Sequence, residues 1–221
     1  MVTVIPAILQ LSRSGLESEI QRLGMLSPFL HVDVTGALVD APSMALTPRD
    51  VAEVLEADTM GVQFNLHLML SSEELNVWIP PLVGIEQVAL VVIHHEIGDG
   101  VLVHARTIRA AGKSALVAIN PGTPLEVVDA YAAHIDGVVV MGVVPGAQGN
   151  PFESDTFDRV KALRKKYPKM MIVVDGAVSL EDKRAQQLVA AGADTLIVGS
   201  KIRDAHDPQA VFDAFTMAVN Q

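Results

Sequence analysis

With 221 residues, half of them hydrophobic, the chain can fill one sizeable core but is short for two full domains, so a single domain over residues 1–221 is expected. Its 16 basic and 26 acidic side chains give a net charge of −10 with His neutral, which argues against nucleic acid or an anionic membrane surface as partner and favours small molecules or other proteins. The absence of cysteine excludes a disulfide scaffold, thiol catalysis and Cys-ligated zinc.

Short β-branched runs of strand length fall at residues 2–8, 29–33, 61–67, 88–93, 114–119, 137–141, 170–175 and 195–198. None of the apolar stretches is long enough to span a bilayer, and the N-terminus lacks the basic region of a signal peptide, so a cytoplasmic location is expected. Helix-like segments separate the runs. Ser14 with Glu17, and Thr123 with Glu126, fit the capping box, in which a hydroxyl and a carboxylate each satisfy a free N–H. Pro48, Pro124 and Pro208 suit the first helical turn, and Ser179 to Asp182 opens a further helix in the same style.

Eight strands alternating with helices divide the 221 residues into units of about 28, the size of a compact βα pair. Alternation implies a parallel sheet covered by helices. Eight units predict a closed (β/α)8 TIM barrel, with an open doubly wound sheet as the second choice.

Polar residues gather where these runs end: His31 and Asp33; Gln63, Asn65 and His67; His94, His95 and Glu96; Asn120; Asp175. That end of a barrel carries catalysis. The period of two puts His31 and Asp33 on one side of their strand, and Gln63, Asn65 and His67 on one side of theirs. A strand buried in a parallel sheet normally reads as unbroken aliphatic, so these positions require partners. Two His and two Asp at neighbouring strand ends fit the first shell of one divalent cation, with Zn, Fe(II), Mn and Co all compatible; hydrogen-bonded core groups are the plainer reading of any one of them. A second cluster lies at the ends of runs six to eight: Gly146 and Gly149, then Gly176 and Ala177, then Gly199 and Ser200. Glycine loops there present backbone N–H groups to a phosphate, whereas Gly146 and Gly149 alone would be ordinary turn residues.

The stretches His31-Val-Asp33-Val, His67-Leu-Met69, Asn120-Pro-Gly-Thr-Pro124, Met141-Gly-Val-Val-Pro-Gly146, Val174-Asp-Gly176 and the run from Ala191 to Ser200 keep the order and spacing of a known family. From Pro6 to about Phe215 the chain resembles the ribulose-phosphate 3-epimerases. The resemblance implies a (β/α)8 barrel of the ribulose-phosphate-binding type that inverts C3 of a ketopentose 5-phosphate through a metal-stabilised enediolate. It puts the metal ligands on His31, Asp33, His67 and Asp175. It makes Asp33 and Asp175 the acid–base pair, one on each face of the substrate. Met69 and Met141 match family methionines that line the site, and core filling is an equal reading of both. The family also implies a homo-oligomer.

The chain departs from the family pattern at Ala7, where the family has Ser, across residues 35–42 and 144–150, and at Ala177, where the family has Gly. These departures leave the His/Asp set whole and put the substrate in question. A 3-epimerase of a ketohexose 6-phosphate and a non-catalytic phosphosugar-binding barrel are the alternatives. A decarboxylase or aldolase on this barrel type would carry an Asp-x-Lys-x-x-Asp cluster, which is absent. His95 or Glu96 could reach substrate, although a satisfied structural pair is the simpler expectation.

Overall fold

The computed structural model describes residues 1–39, 45–57, 61–146 and 149–221. Residues 40–42 and 147–148, parts of two stretches that depart from the family pattern, lie outside the described residues. The strands are β1 (Thr3–Leu9), β2 (Phe29–Thr35), β3 (Gln63–Met69), β4 (Val88–His94), β5 (Ser114–Ile119), β6 (Gly137–Met141), β7 (Met171–Asp175) and β8 (Thr195–Val198). All pair in parallel in sequence order, and β8 closes on β1, giving the expected eight-stranded barrel. Its helices are α1 (Arg13–Leu23), α2 (Pro48–Glu56), α3 (Ser72–Val83), α4 (Val101–Ala110), α5 (Thr156–Lys166), α6 (Arg184–Ala191), α7 (Ser200–Arg203) and α8 (Pro208–Val219).

Alternation along each strand sorts the core into two shells. Val32, Phe64, Leu66, Val91, Val117, Val138 and Val174 face outward and are sealed by the helices. Each such burial contributes roughly 1.5–3 kcal/mol. Ile5, Ala7, Val92, Ala118, Val139, Met141 and Ile197 point inward and fill the barrel. The inward positions of β2 and β3 break this aliphatic filling with His31, Asp33, Asn65 and His67. Register sets Asp33 opposite His67 on β3 and Leu9 on β1, and sets Asp175 opposite Met141 and Ile197. The parallel ladder thus carries four polar side chains to one end of one barrel.

Three expected helix starts fall differently. α1 is capped by Ser12, whose Oγ accepts from Gly15 N at 3.2 Å, while Glu17 is taken by Arg13 at 3.0 Å. Thr123 starts no α-helix. Its hydroxyl donates to Glu96 Oε1 at 2.8 Å, and only a 3₁₀ segment, Leu125–Ala130, joins β5 to β6. Ser179 Oγ accepts from Glu181 N at 3.2 Å in a local turn, and α6 begins later, at Arg184. The expected starts at Pro48 and Pro208 hold.

Candidate active site

The barrel brings His31, Asp33, His67 and Asp175 together, with one ligand atom from each lying within 4.8 Å of the others. β2 supplies the first two from alternate positions, β3 supplies His67 from the adjacent register pair, and Asp175 ends β7. His67 Nδ1 is 3.0 Å from Asp33 Oδ1 and 3.4 Å from Asp175 Oδ2. His31 Nε2 is 3.4 Å from Asp33 Oδ1 and 3.8 Å from Asp175 Oδ2.

Burial alone would lower the His67 imidazole. Hydrogen bonds to Asp175 and Asp33 outweigh it and push it up to about 9. Burial works the other way on Asp33, but the facing imidazoles of His31 and His67 hold its carboxyl far below the usual carboxylate range. An ionised carboxylate facing imidazoles is the electrostatics of a cation site. His31 adds a second sign. It is 1% exposed, and among the described residues neither of its ring nitrogens has a hydrogen-bond partner. A buried imidazole left this way costs roughly 1–3 kcal/mol unless something accepts its lone pair. Two imidazole nitrogens and two carboxylate oxygens fit a divalent cation. Binding would displace the proton on His67 Nδ1.

Behind this cluster the polar chain continues. His67 Nε2 meets His94 Nε2 at 2.8 Å, and His94 Nδ1 meets Glu96 Oε2 at 3.2 Å. Burial lowers the His94 imidazole, against the raising effect of its contact with Glu96. The other oxygen of Glu96 accepts from Asn120 N at 3.1 Å and from Thr123. His95 turns away to Tyr131 OH, 2.8 Å distant. Neither His95 nor Glu96, the two residues that could have reached substrate, lines the cavity, and they do not pair with each other: Glu96 meets His94 and His95 meets Tyr131.

A cavity of about 440 Å³ opens over Asp33, His67 and Asp175. Met69 and Met141 line it beside the carboxylates. Gly146, Gly149, Gly176, Ala177, Gly199 and Ser200 line it as well, so every residue expected at the phosphate loops borders the same cavity. Gly176 has φ +107°, and a Cβ there would stand 2.7 Å from Val143 Cγ2. Only glycine lets the chain turn this tightly after β7. Ala177 is itself left-handed at φ +51°, a conformation that glycine would adopt without strain. Its carbonyl accepts from the Arg184 guanidinium, which also pairs with Asp182 and lies over the Phe152 ring at 4.2 Å.

Residues 3–203 match the model of the ribulose-phosphate 3 epimerase family. A ribulose-phosphate 3-epimerase of Mycobacterium tuberculosis is 34% identical over 191 residues, covering 84% of this chain and 80% of that protein. The chain belongs to the ribulose-phosphate 3 epimerase family. A family member from Schizosaccharomyces pombe, with the same name, is 32% identical over 226 residues, covering 98% of this chain and 93% of that one. Among solved structures, 3-hexulose-6-phosphate synthase superposes with a TM-score of 0.70 at 16% identity over 99% of this chain and 100% of that one. Orotidine 5'-monophosphate decarboxylase from Sulfolobus solfataricus gives 0.67 at 18% over 99% and 98%. These two share the barrel fold.

Within this epimerase-family barrel, sequence reasoning left several cavity residues unmarked. Leu9 lies two residues beyond Ala7, and the period of two would have pointed it inward; Thr35, marked only as the start of a departing stretch, lies two beyond Asp33 and lines the cavity too. The charged rim of Glu181, Asp182, Arg184, Lys201 and Arg203 carried no motif. Lys201 Nζ sits 2.8 Å from both Glu181 oxygens, which closes an ion pair at the edge of the cavity.

Proposed function

We propose that this chain is a divalent-cation-dependent isomerase that inverts C3 of a ketopentose 5-phosphate, interconverting D-ribulose 5-phosphate and D-xylulose 5-phosphate. The observation that carries this reading is that two carboxylates, Asp33 of β2 and Asp175 of β7, open into one cavity. Epimerisation beside a carbonyl removes a weakly acidic C–H proton and returns one to the opposite face. One carboxylate takes the C3 proton, leaving a planar enediolate, and the other delivers a proton from the far side. A cation held by His31, Asp33, His67 and Asp175 would supply charge stabilisation for the enediolate oxygens when bound, and imidazole with carboxylate suits Zn, Fe(II), Mn or Co. Met69 and Met141 pack against the intermediate without offering it a proton. Gly146, Gly149, Gly176, Ala177, Gly199 and Ser200 take the phosphate through backbone N–H groups and the Ser200 hydroxyl.

The test is isotope exchange at C3 of ribulose 5-phosphate in heavy water. Asp175→Asn, nearly the same shape, should lower exchange by roughly 10²–10⁴-fold with the circular dichroism unchanged. Exchange at the native rate would overturn the two-base scheme, and wild type that binds pentulose phosphate without exchange would make the barrel a binder. A ketohexose 6-phosphate is the second reading, favoured by the small side chain of Ala7 on the cavity wall. A panel of ketose phosphates separates the two, since turnover of pentuloses alone eliminates the longer sugar.

A further inference from the structure

His67 presents Nδ1 to the two carboxylates and Nε2 to His94, so the function proposed above depends on which nitrogen bears hydrogen. The His67 and His94 ring planes differ by 8° and their centroids are 5.0 Å apart. With the two Nε2 atoms at 2.8 Å, that separation is close to the nitrogen–nitrogen distance plus both ring radii. The rings therefore meet tip to tip in nearly one plane, which is hydrogen-bond geometry, with N–H aimed along a lone pair.

The direction of this bond follows from its far end. Glu96 Oε1 is occupied by the Asn120 amide and the Thr123 hydroxyl, both supplied by the turn after β5. Glu96 Oε2 then faces His94 Nδ1 at 3.2 Å. A carboxylate only accepts, so His94 carries its hydrogen on Nδ1 and leaves a lone pair on Nε2. His67 must donate from Nε2. Once the cation is bound, its Nδ1 is a lone pair pointing between Asp33 and Asp175. His94 is fully buried, and neither it nor Glu96 reaches the cavity, so both act through His67 rather than on substrate.

We propose that Glu96 and His94 are positioning residues that lock His67 in the Nε2–H tautomer and fix its Nδ1 on the cation, with the Asn120–Thr123 turn setting the polarity of the whole chain. This rests on the cation reading of the site. Glu96→Gln is nearly isosteric and should reverse that polarity. The Asn120 N–H requires an oxygen at the Oε1 position, so the new amide NH₂ faces His94 Nδ1. His94 then donates from Nε2, His67 accepts there, and a hydrogen is forced onto Nδ1, where the cation belongs.

The measurement is titration of the cation-free protein with Co(II) alone, by calorimetry and visible absorbance. Glu96→Gln should bind roughly 10–100-fold more weakly than wild type, with a changed cobalt spectrum and the same far-ultraviolet dichroism. Equal affinity and spectrum would overturn the relay while leaving the site intact. Wild type that binds no cobalt, zinc, manganese or iron would overturn the site reading and the relay with it. Nitrogen-15 spectra of the zinc-loaded wild type give an independent decision, needing no variant. Hydrogens on His94 Nδ1 and His67 Nε2 support the relay, and any other pair overturns it.

Discussion

Glu96 is three-quarters buried, and burial alone would raise its carboxyl. Bonds from His94, the Asn120 amide and Thr123 more than offset this and hold it at about 2, below its ordinary 4.5. The folded state therefore binds the Glu96 proton less tightly than the unfolded chain does. Ionised Glu96 stabilises the fold fully above pH 4.5, and that contribution drains away as pH falls from 4.5 towards 2. Chemical denaturation across this window should show wild type losing on the order of 1–3 kcal/mol more than Glu96→Gln, which has no such proton to take up. The other carboxylates titrate in both proteins and cancel in the difference. Parallel stability curves below pH 4.5 would mean that the three bonds do not hold the charge.

At the scale of elements, α2 is the best-written helix start. Thr47 Oγ1 accepts from Asp50 N at 3.2 Å, Asp50 Oδ2 accepts from Thr47 N at 2.9 Å, and Pro48 needs no N–H bond in the first turn. The helix buries Val51, Ala52, Val54 and Leu55 against the barrel. Thr47→Ala should cost about 1 kcal/mol, seen as a Tm lower by about 2–4 °C, with the fold unchanged. An unchanged Tm would show that packing of those four residues alone determines the helix. The same signals misled elsewhere, for reasons visible in the chain. Thr123 resembled a cap, but its hydroxyl goes to Glu96, a partner 27 residues away that no local pattern announces. Ser14 lost to Ser12 because Glu17 found Arg13 on its own helix. The strands were legible because β-branched runs alternate with helices at a steady interval. The four site residues were legible because polar side chains interrupt inward-facing positions that should be aliphatic. The rim was not, because Arg184 and Lys201 owe their place to the turns after β7 and β8, and the His67–His94 contact joins residues offset in register, His67 lying opposite Val92, across a β3–β4 ladder whose register shift no local pattern announces.

The whole molecule carries a charge of −10, yet the ligand proposed for it is an anion. Around the cavity mouth the balance is nearly even: Arg184, Lys201 and Arg203 stand against Glu181, Asp182 and Asp204, the last paired with Arg203 at 2.7 Å. Which of these fields an approaching phosphate meets depends on salt. At 10 mM ionic strength the screening length is about 30 Å, comparable to the molecule, and the summed negative charge repels the substrate. At 150 mM it contracts to about 8 Å, so that only the rim and the polar cluster beneath it act. Raising sodium chloride over this range should therefore lower KM for the sugar phosphate by about twofold or more and leave kcat unchanged, the reverse of an enzyme whose whole surface steers its substrate inward. Steady-state kinetics at fixed pH, with an uncharged buffer to keep competing oxyanions out of the phosphate loops, measures this directly. A KM that climbs with sodium chloride would show that the rim cations already dominate at low salt. Lys201→Ala separates the contributions: if the rim guides the phosphate through the last few ångströms, this variant raises KM at 150 mM more than the same change at an exposed lysine distant from the mouth.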